Sequence, residues 1–239
     1  MSALNPSMRI AQQLAEAVRV HEPRLRGQAL ERRVLELLEL VGIERPAERA
    51  QLYPFSFSGG MRQRIVMAIA LAAKPQILFA DEPTTALDVT VQAQILDLLR
   101  SLQKKLGTAT VLVSHDLGVV ARCADRVAVM YAGKIVEIGT AEEIYYDPRH
   151  PYTWALLRAL PALARRGQPL AAIPGMPPTL ICPPQADAFA CRNEYALKID
   201  YEQAPPMFEV SPTHSAATWL LDPRAPRITP PIGGRRHAE

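Results

Sequence analysis

Two adjacent carboxylates close an apolar run in Ile77-Leu78-Phe79-Ala80-Asp81-Glu82-Pro83, and a histidine follows a second such run in Val111-Leu112-Val113-Ser114-His115-Asp116. Short apolar runs of this kind read as buried strands, and ligand sites of α/β proteins gather at the C-terminal ends of such strands. Transfer of a phosphoryl group to water needs one carboxylate near Mg²⁺ and a second polar group that orients or deprotonates the water. Asp81 fits the first role and Glu82 the second. A neutral imidazole at His115 is suited to touching a terminal phosphate, or to holding the water and Glu82 in place. Taken singly, an acidic strand-to-loop turn and a lone histidine are equally ordinary structural features.

A third constellation is Phe57-Ser58-Gly59-Gly60-Met61-Arg62-Gln63-Arg64. Two glycines at a helix start leave backbone N–H groups uncovered, and the helix dipole adds positive potential there. With the Ser58 hydroxyl this makes an anion site suited to a phosphate. A Ser-capped helix whose glycines serve close packing fits the same residues. Thr84-Thr85-Ala86-Leu87-Asp88 precedes a further helical stretch, with Asp88 as its cap.

The elements that must position these residues are legible in outline. Helical spacing covers residues 7–20 and 26–42, where Leu30, Val34, Leu37, Leu38 and Val41 recur and Gly42 stops the run. A third helix runs from Gly59 to about Ala73, capped by Ser58 and ended by Lys74-Pro75. A strand at Gln76–Ala80, a helix at Val89–Leu106, a strand at Thr110–Val113 and a short helix after His115 follow. Strands at Arg126–Tyr131 and Ile135–Ile138 flank the turn Ala132-Gly133-Lys134. Strand runs separated by helices predict an α/β layer architecture with a largely parallel sheet. Of the 22 prolines, 14 lie from Pro161 onward, so 161–239 is expected to be an appendage with little regular structure.

Bulk properties narrow the class. In 239 residues, 27 basic and 24 acidic side chains nearly cancel, which argues against a nucleic-acid footprint. The start Met1-Ser2-Ala3-Leu4-Asn5-Pro6 lacks the pattern of a signal peptide, and the longest apolar stretches are too short to cross a bilayer. Cys123, Cys182 and Cys191 form no even, closely spaced framework, which favours a reducing compartment.

In this order, the Ser-Gly-Gly motif, the Asp81-Glu82 strand, Ala86-Leu87-Asp88 and the His115 strand resemble the ATP-binding-cassette family over most of residues 1–160. The resemblance implies a P-loop-NTPase-like α/β fold with two parts. Residues 1–73 would be a mainly helical subdomain bearing the signature motif, and 74–160 a parallel-sheet core. It implies that Ser58, Gly59, Gly60 and Met61 are the signature residues that meet ATP, with Met61 where glutamine is usual. Asp81 would be the Walker B aspartate at Mg²⁺, Glu82 the catalytic glutamate, Asp88 part of the D-loop and His115 the switch histidine. A chromosome-maintenance ATPase of the same general type would need long heptad coiled coils, which are lacking here.

Several stretches narrow the resemblance to the ATP-binding subunits of oligopeptide and dipeptide importers. They include Tyr131-Ala132-Gly133-Lys134-Ile135-Val136-Glu137, His150-Pro151-Tyr152-Thr153, Ile173-Pro174-Gly175-Met176-Pro177-Pro178 and Asp187-Ala188-Phe189-Ala190-Cys191-Arg192-Asn193. Membership of that branch implies membrane permease subunits and a second ATPase subunit as partners, with docking on the permease through roughly Met1 to Gln51. It implies a cytoplasmic place on the inner face of the membrane, and makes 161–239 the branch's C-terminal extension. Some members carry tail cysteines suited to an iron–sulfur cluster. Here Asp187 and Asn193 stand at such places, leaving Cys182, Cys191 and His214, so no cluster is expected.

One family feature is missing from the 239 residues. No Gly-x-x-x-x-Gly-Lys-[Ser/Thr] run occurs, and Gly133-Lys134 is followed by Ile135. The Q-loop glutamine is expected just upstream of Met1, which would then be an internal methionine of a longer relative. The chain alone is expected to hydrolyse ATP poorly or not at all. A non-catalytic partner or regulator, or a gene remnant, is the alternative reading.

Overall fold

The computed structural model describes residues 3–160, 172–179, 181 and 185–231. The chain divides into two compact units, Met1–His115 and Asp116–Glu239.

The first unit opens with α1 (Ile10–His21), α2 (Gly27–Leu40), the single turn α3 (Pro46–Arg49) and α4 (Gly59–Leu71). The helix expected from residue 7 starts only at Ile10. Gln13 explains the delay, because its amide accepts from the Asn5 N–H and donates to the Asn5 and Met8 carbonyls, which holds that stretch as a loop. Ile10, Leu14 and Val18 of α1 join Leu30, Val34, Leu37 and Leu38 of α2 in one buried cluster, each helix facing it with residues three and four apart. Ile65, Met67, Ala68 and Leu71 of α4 join that cluster, as do Ile95, Leu99 and Leu102 further along the chain, and Arg64 ties α4 to the end of α2 by donating to the Val41 carbonyl at 3.1 Å.

Strand β1 (Ile77–Asp81), helix α5 (Val89–Leu106) and strand β2 (Ala109–Val113) finish the unit. The caps explain the bounds of α5. Asp88 accepts from the Val91 N–H at its start, and Gly107 takes the left-handed conformation at its end. Strands β1 and β2 pair in parallel, with Ile77 opposite Ala109 and Asp81 opposite Val113. A parallel pair needs a crossover connection, which α5 supplies.

The second unit holds α6 (Leu117–Cys123), β3 (Arg126–Tyr131), β4 (Lys134–Thr140), α7 (Ala141–Tyr146) and α8 (Pro151–Arg158). Two short strands, β5 (Phe208–Glu209) and β6 (Ser215–Ala216), join β3 and β4 in an antiparallel sheet of order β3-β4-β6-β5. Parallel pairing is therefore confined to β1 and β2 among the described residues, less than the largely parallel sheet expected. The reason is the two-residue link Ala132-Gly133, with φ of 49° and 78°, which makes a tight hairpin and leaves no room for a crossover.

The described part of the proline-rich tail is built into this unit. Phe189 is buried against Tyr131 and Tyr152, with ring centroids 5.1 and 5.2 Å apart. Glu137 of β4 is fully buried and accepts from the Arg149 N–H at 2.5 Å, the His150 N–H at 3.1 Å and His214 Nε2 at 2.8 Å. Glu143 of α7 accepts from Ser211 at 2.7 Å and Thr213 at 2.8 Å. The bond from the Thr140 N–H first, then these, hold the Glu143 carboxyl well below the usual range, at about 2. The His214 ring is thus engaged with Glu137. Cys191 is exposed, and Cys182 lies outside the described residues. Cys123 is half-buried and its thiol donates to the Val119 carbonyl at 3.0 Å.

Candidate functional site

Because β1 and β2 run in parallel, their C-terminal ends share one edge. Glu82 and His115 lie one and two residues beyond the paired Asp81 and Val113. His115 Nδ1 is 2.6 Å from Glu82 Oε1, and the His115 N–H donates to the same oxygen at 3.2 Å. The other oxygen, Oε2, accepts from Thr85 Oγ1 at 2.7 Å. The His115 bond first, then that from Thr85, holds the Glu82 carboxyl below the ordinary carboxylate range. An ionised Glu82 makes Nδ1 the proton-bearing nitrogen of His115.

The backbone here is unusual. Glu82 has φ of 47° and Ala86 φ of 62°, both left-handed at residues other than glycine. Three bonds hold the turn: Glu82 N–H to the Val113 carbonyl, Thr85 N–H to the Glu82 carbonyl, and Leu87 N–H to the Thr84 carbonyl. Residues in such conformations persist where the surroundings over-determine them, and they cluster at functional sites. Asp81 is exposed at the end of β1, a hard oxygen donor of the type Mg²⁺ takes.

Ser58, Gly59, Gly60 and Met61 form a second station at the start of α4. Ser58 Oγ accepts from the Met61 N–H at 3.4 Å. Gly60 is buried, while Ser58 is exposed. Asp88 stands at the start of α5, where its Oδ1 accepts from the Val91 N–H at 2.9 Å. The structure thus bonds Glu82, Thr85 and His115 directly, leaves Asp81 at the end of β1, and sets Ser58, Gly59, Gly60, Met61 and Asp88 at two helix starts. Sequence reasoning does not single out Thr85; its signal is a hydroxyl three residues after Glu82 within a turn. A separate open groove of about 660 Å³ lies among α1, α2 and α3, lined by Ala11, Ala15, Leu30, Val34 and Leu35 among others.

Comparison with known proteins gives this geometry its setting. Residues 2–85 match the ABC transporter family model, and residues 136–199 match that of the oligopeptide/dipeptide transporter C-terminal region. The oligopeptide transport ATP-binding protein OppD of Bacillus subtilis (strain 168) is 59% identical over 232 residues, 97% of this chain and 64% of OppD. The dipeptide transport ATP-binding protein DppD of the same organism is 50% identical over 225 residues, 94% of this chain and 67% of DppD. The chain belongs to the ATP-binding proteins of oligopeptide and dipeptide ABC transporters. It spans about two thirds of the length of these relatives. Among solved structures, the ATP-binding cassette MJ0796, dimeric and bound to ADP and Pi in a post-hydrolysis state, aligns with a TM-score of 0.50 and 29% identity. That alignment covers 58% of this chain and 59% of MJ0796. The span matched by the ABC transporter family model runs from α1 through β1 and the Glu82 turn. Among the described residues, no helix is long and apolar enough to cross a membrane.

Proposed function

We propose that the chain is part of the ATPase of a peptide importer, where it supplies the signature loop and the hydrolytic residues that couple ATP cleavage to transport. The observation that carries this reading is the Glu82–His115 bond at the C-terminal edge of β1 and β2, in a chain of this family. Ionised Glu82 would accept the proton of the attacking water, and His115 would hold that carboxylate in a single orientation. Thr85 fixes the second oxygen, so the carboxylate cannot rotate away. Asp81 would hold Mg²⁺, which when bound neutralises charge on phosphate oxygens. The Ser58–Met61 loop offers backbone N–H groups and a helix N-terminus to the nucleotide of a second ATPase subunit. A phosphate loop would come from polypeptide beyond these 239 residues.

A transport ATPase must also touch a membrane-embedded partner. The groove among α1, α2 and α3 sets small and branched apolar residues beside Gln12, Glu16, Arg19 and Glu31, and suits a short amphipathic helix laid into it. Replacing Ala15 by Arg would block that seat without touching the Glu82 site. Labelled-peptide uptake by cells relying on this chain is expected to fall about tenfold or more, as for loss of an interface anchor; because Ala15 packs partly against the helical core, the melting temperature of the variant is measured alongside. Normal uptake by Ala15→Arg would overturn the docking reading, and failure of the wild-type chain to support peptide uptake in the complete transporter would overturn the importer reading.

A further inference from the structure

We propose that Val91 is a positioning residue for the Ser58–Met61 loop, its side chain filling the space beside Gly60 and fixing the first turn of α4 against that of α5. The inference rests on the reading of that loop as a phosphate site. A Cβ built on Gly60 would lie 2.4 Å from Val91 Cγ1 and 3.8 Å from Val91 Cβ, so only glycine allows this approach. Val91 is itself well held. Its N–H is bound by the Asp88 cap, its side chain is half-buried against the helical core, and its β-branched χ1 is stiff. Across the contact, the Met61 N–H is bound by the Ser58 cap, and the Arg62 N–H donates to the Ser58 carbonyl at 2.9 Å.

Two capped helix starts therefore meet through one glycine–valine contact. The α5 start continues directly from the left-handed turn at Glu82 and Ala86. A shift in that turn would move Val91, and Val91 would carry it to the first turn of α4, which bears the Ser58 cap. Gly60, buried at this start, thus makes room for Val91.

Amide hydrogen exchange of the full chain reads the contact directly. Gly60→Ala is expected to speed exchange of Met61, Arg62 and Gln63 about tenfold relative to Ile65–Leu71 of the same helix, because an added methyl overpacks the contact. Combining it with Val91→Ala makes room for that methyl, and exchange is expected to return to within about twofold of the wild type. Val91→Ala alone should loosen the same three amides by about two- to fivefold, which tests the idea even where Gly60→Ala fails to fold. Equal acceleration along all of α4, no effect of Val91→Ala, or a double variant no better than Gly60→Ala would each overturn the inference. Turnover of the complete transporter carrying Ser58→Asp separates the two readings. Unchanged turnover there would remove the phosphate site, while the exchange pattern still decides the role of Val91.

Discussion

Replacing Glu82 by Gln is expected to lower ATP turnover of the complete transporter by about 10²–10⁴-fold, the usual worth of a general base. Glutamine keeps the size of the side chain and its Oε1 can still accept one hydrogen bond, so the turn at Glu82 survives. It cannot take a proton, and with its oxygen toward His115 its NH₂ would face the Thr85 hydroxyl, which would then have to accept instead of donate. Nucleotide occupancy should persist, since Glu82 is bonded to His115 and Thr85. Labelled ATP retained on the complex, alongside phosphate release, checks both halves. His115→Ala offers a graded companion. Losing the His115 hydrogen bond, the largest cause of the low Glu82 pKa, should raise it toward its ordinary value, near 4.5. Because the active form is the carboxylate, the acid limb of the rate profile then moves to higher pH. Turnover by Glu82→Gln close to wild type would remove Glu82 from the chemistry.

The second large effect concerns stability of the unit from Asp116 onward. Glu137→Ala would leave the N–H groups of Arg149 and His150 and the ring of His214 without their acceptor in a buried place. Breaking a buried pair in this way costs about 3–5 kcal/mol. At about 2–4 °C per kcal/mol for a chain of this size, the melting temperature should fall by roughly 6–20 °C. His214→Ala should loosen the 208–216 segment in limited proteolysis before the rest of the unit opens.

The same region gives a pH dependence. Burial, opposed by the charge of Glu137, pushes His150 down to about 4 from 6.5. The unfolded chain therefore binds this proton first as pH falls from 6.5, and the folded unit loses stability until about pH 4. The shift corresponds to about 3 kcal/mol. Glu143 acts further down, stabilising above 4.5 and losing that contribution as pH falls through about 2. His150→Asn, whose amide can still accept from the Tyr152 N–H, should flatten urea midpoints between pH 6.5 and 4. An unchanged slope would place the titrating group elsewhere.

Much of the fold is legible in the sequence because local signals agree. Asp88 and Gly107 mark the ends of α5, and the alternating run Arg126–Tyr131 marks β3. Strands β5 and β6 are not legible, since two residues carry no periodicity. Nor is the Glu137–His214 bond, whose partners stand 77 residues apart. For the candidate site, Glu82 and His115 can be brought together because each follows an apolar strand and parallel strands end on one edge. Val91 cannot, because the space that Gly60 leaves exists only once α4 and α5 are packed.

The most direct test of the account is phosphate release from ATP by the complete transporter carrying Ser58→Asp. Aspartate is as good an N-cap as serine, so α4 and the melting temperature should be kept. Its charge would meet a phosphate at the helix start, and turnover should fall about 100-fold or more, as for loss of a preorganised donor. Undiminished phosphate release from a folded Ser58→Asp chain would contradict the claim that this loop meets the nucleotide.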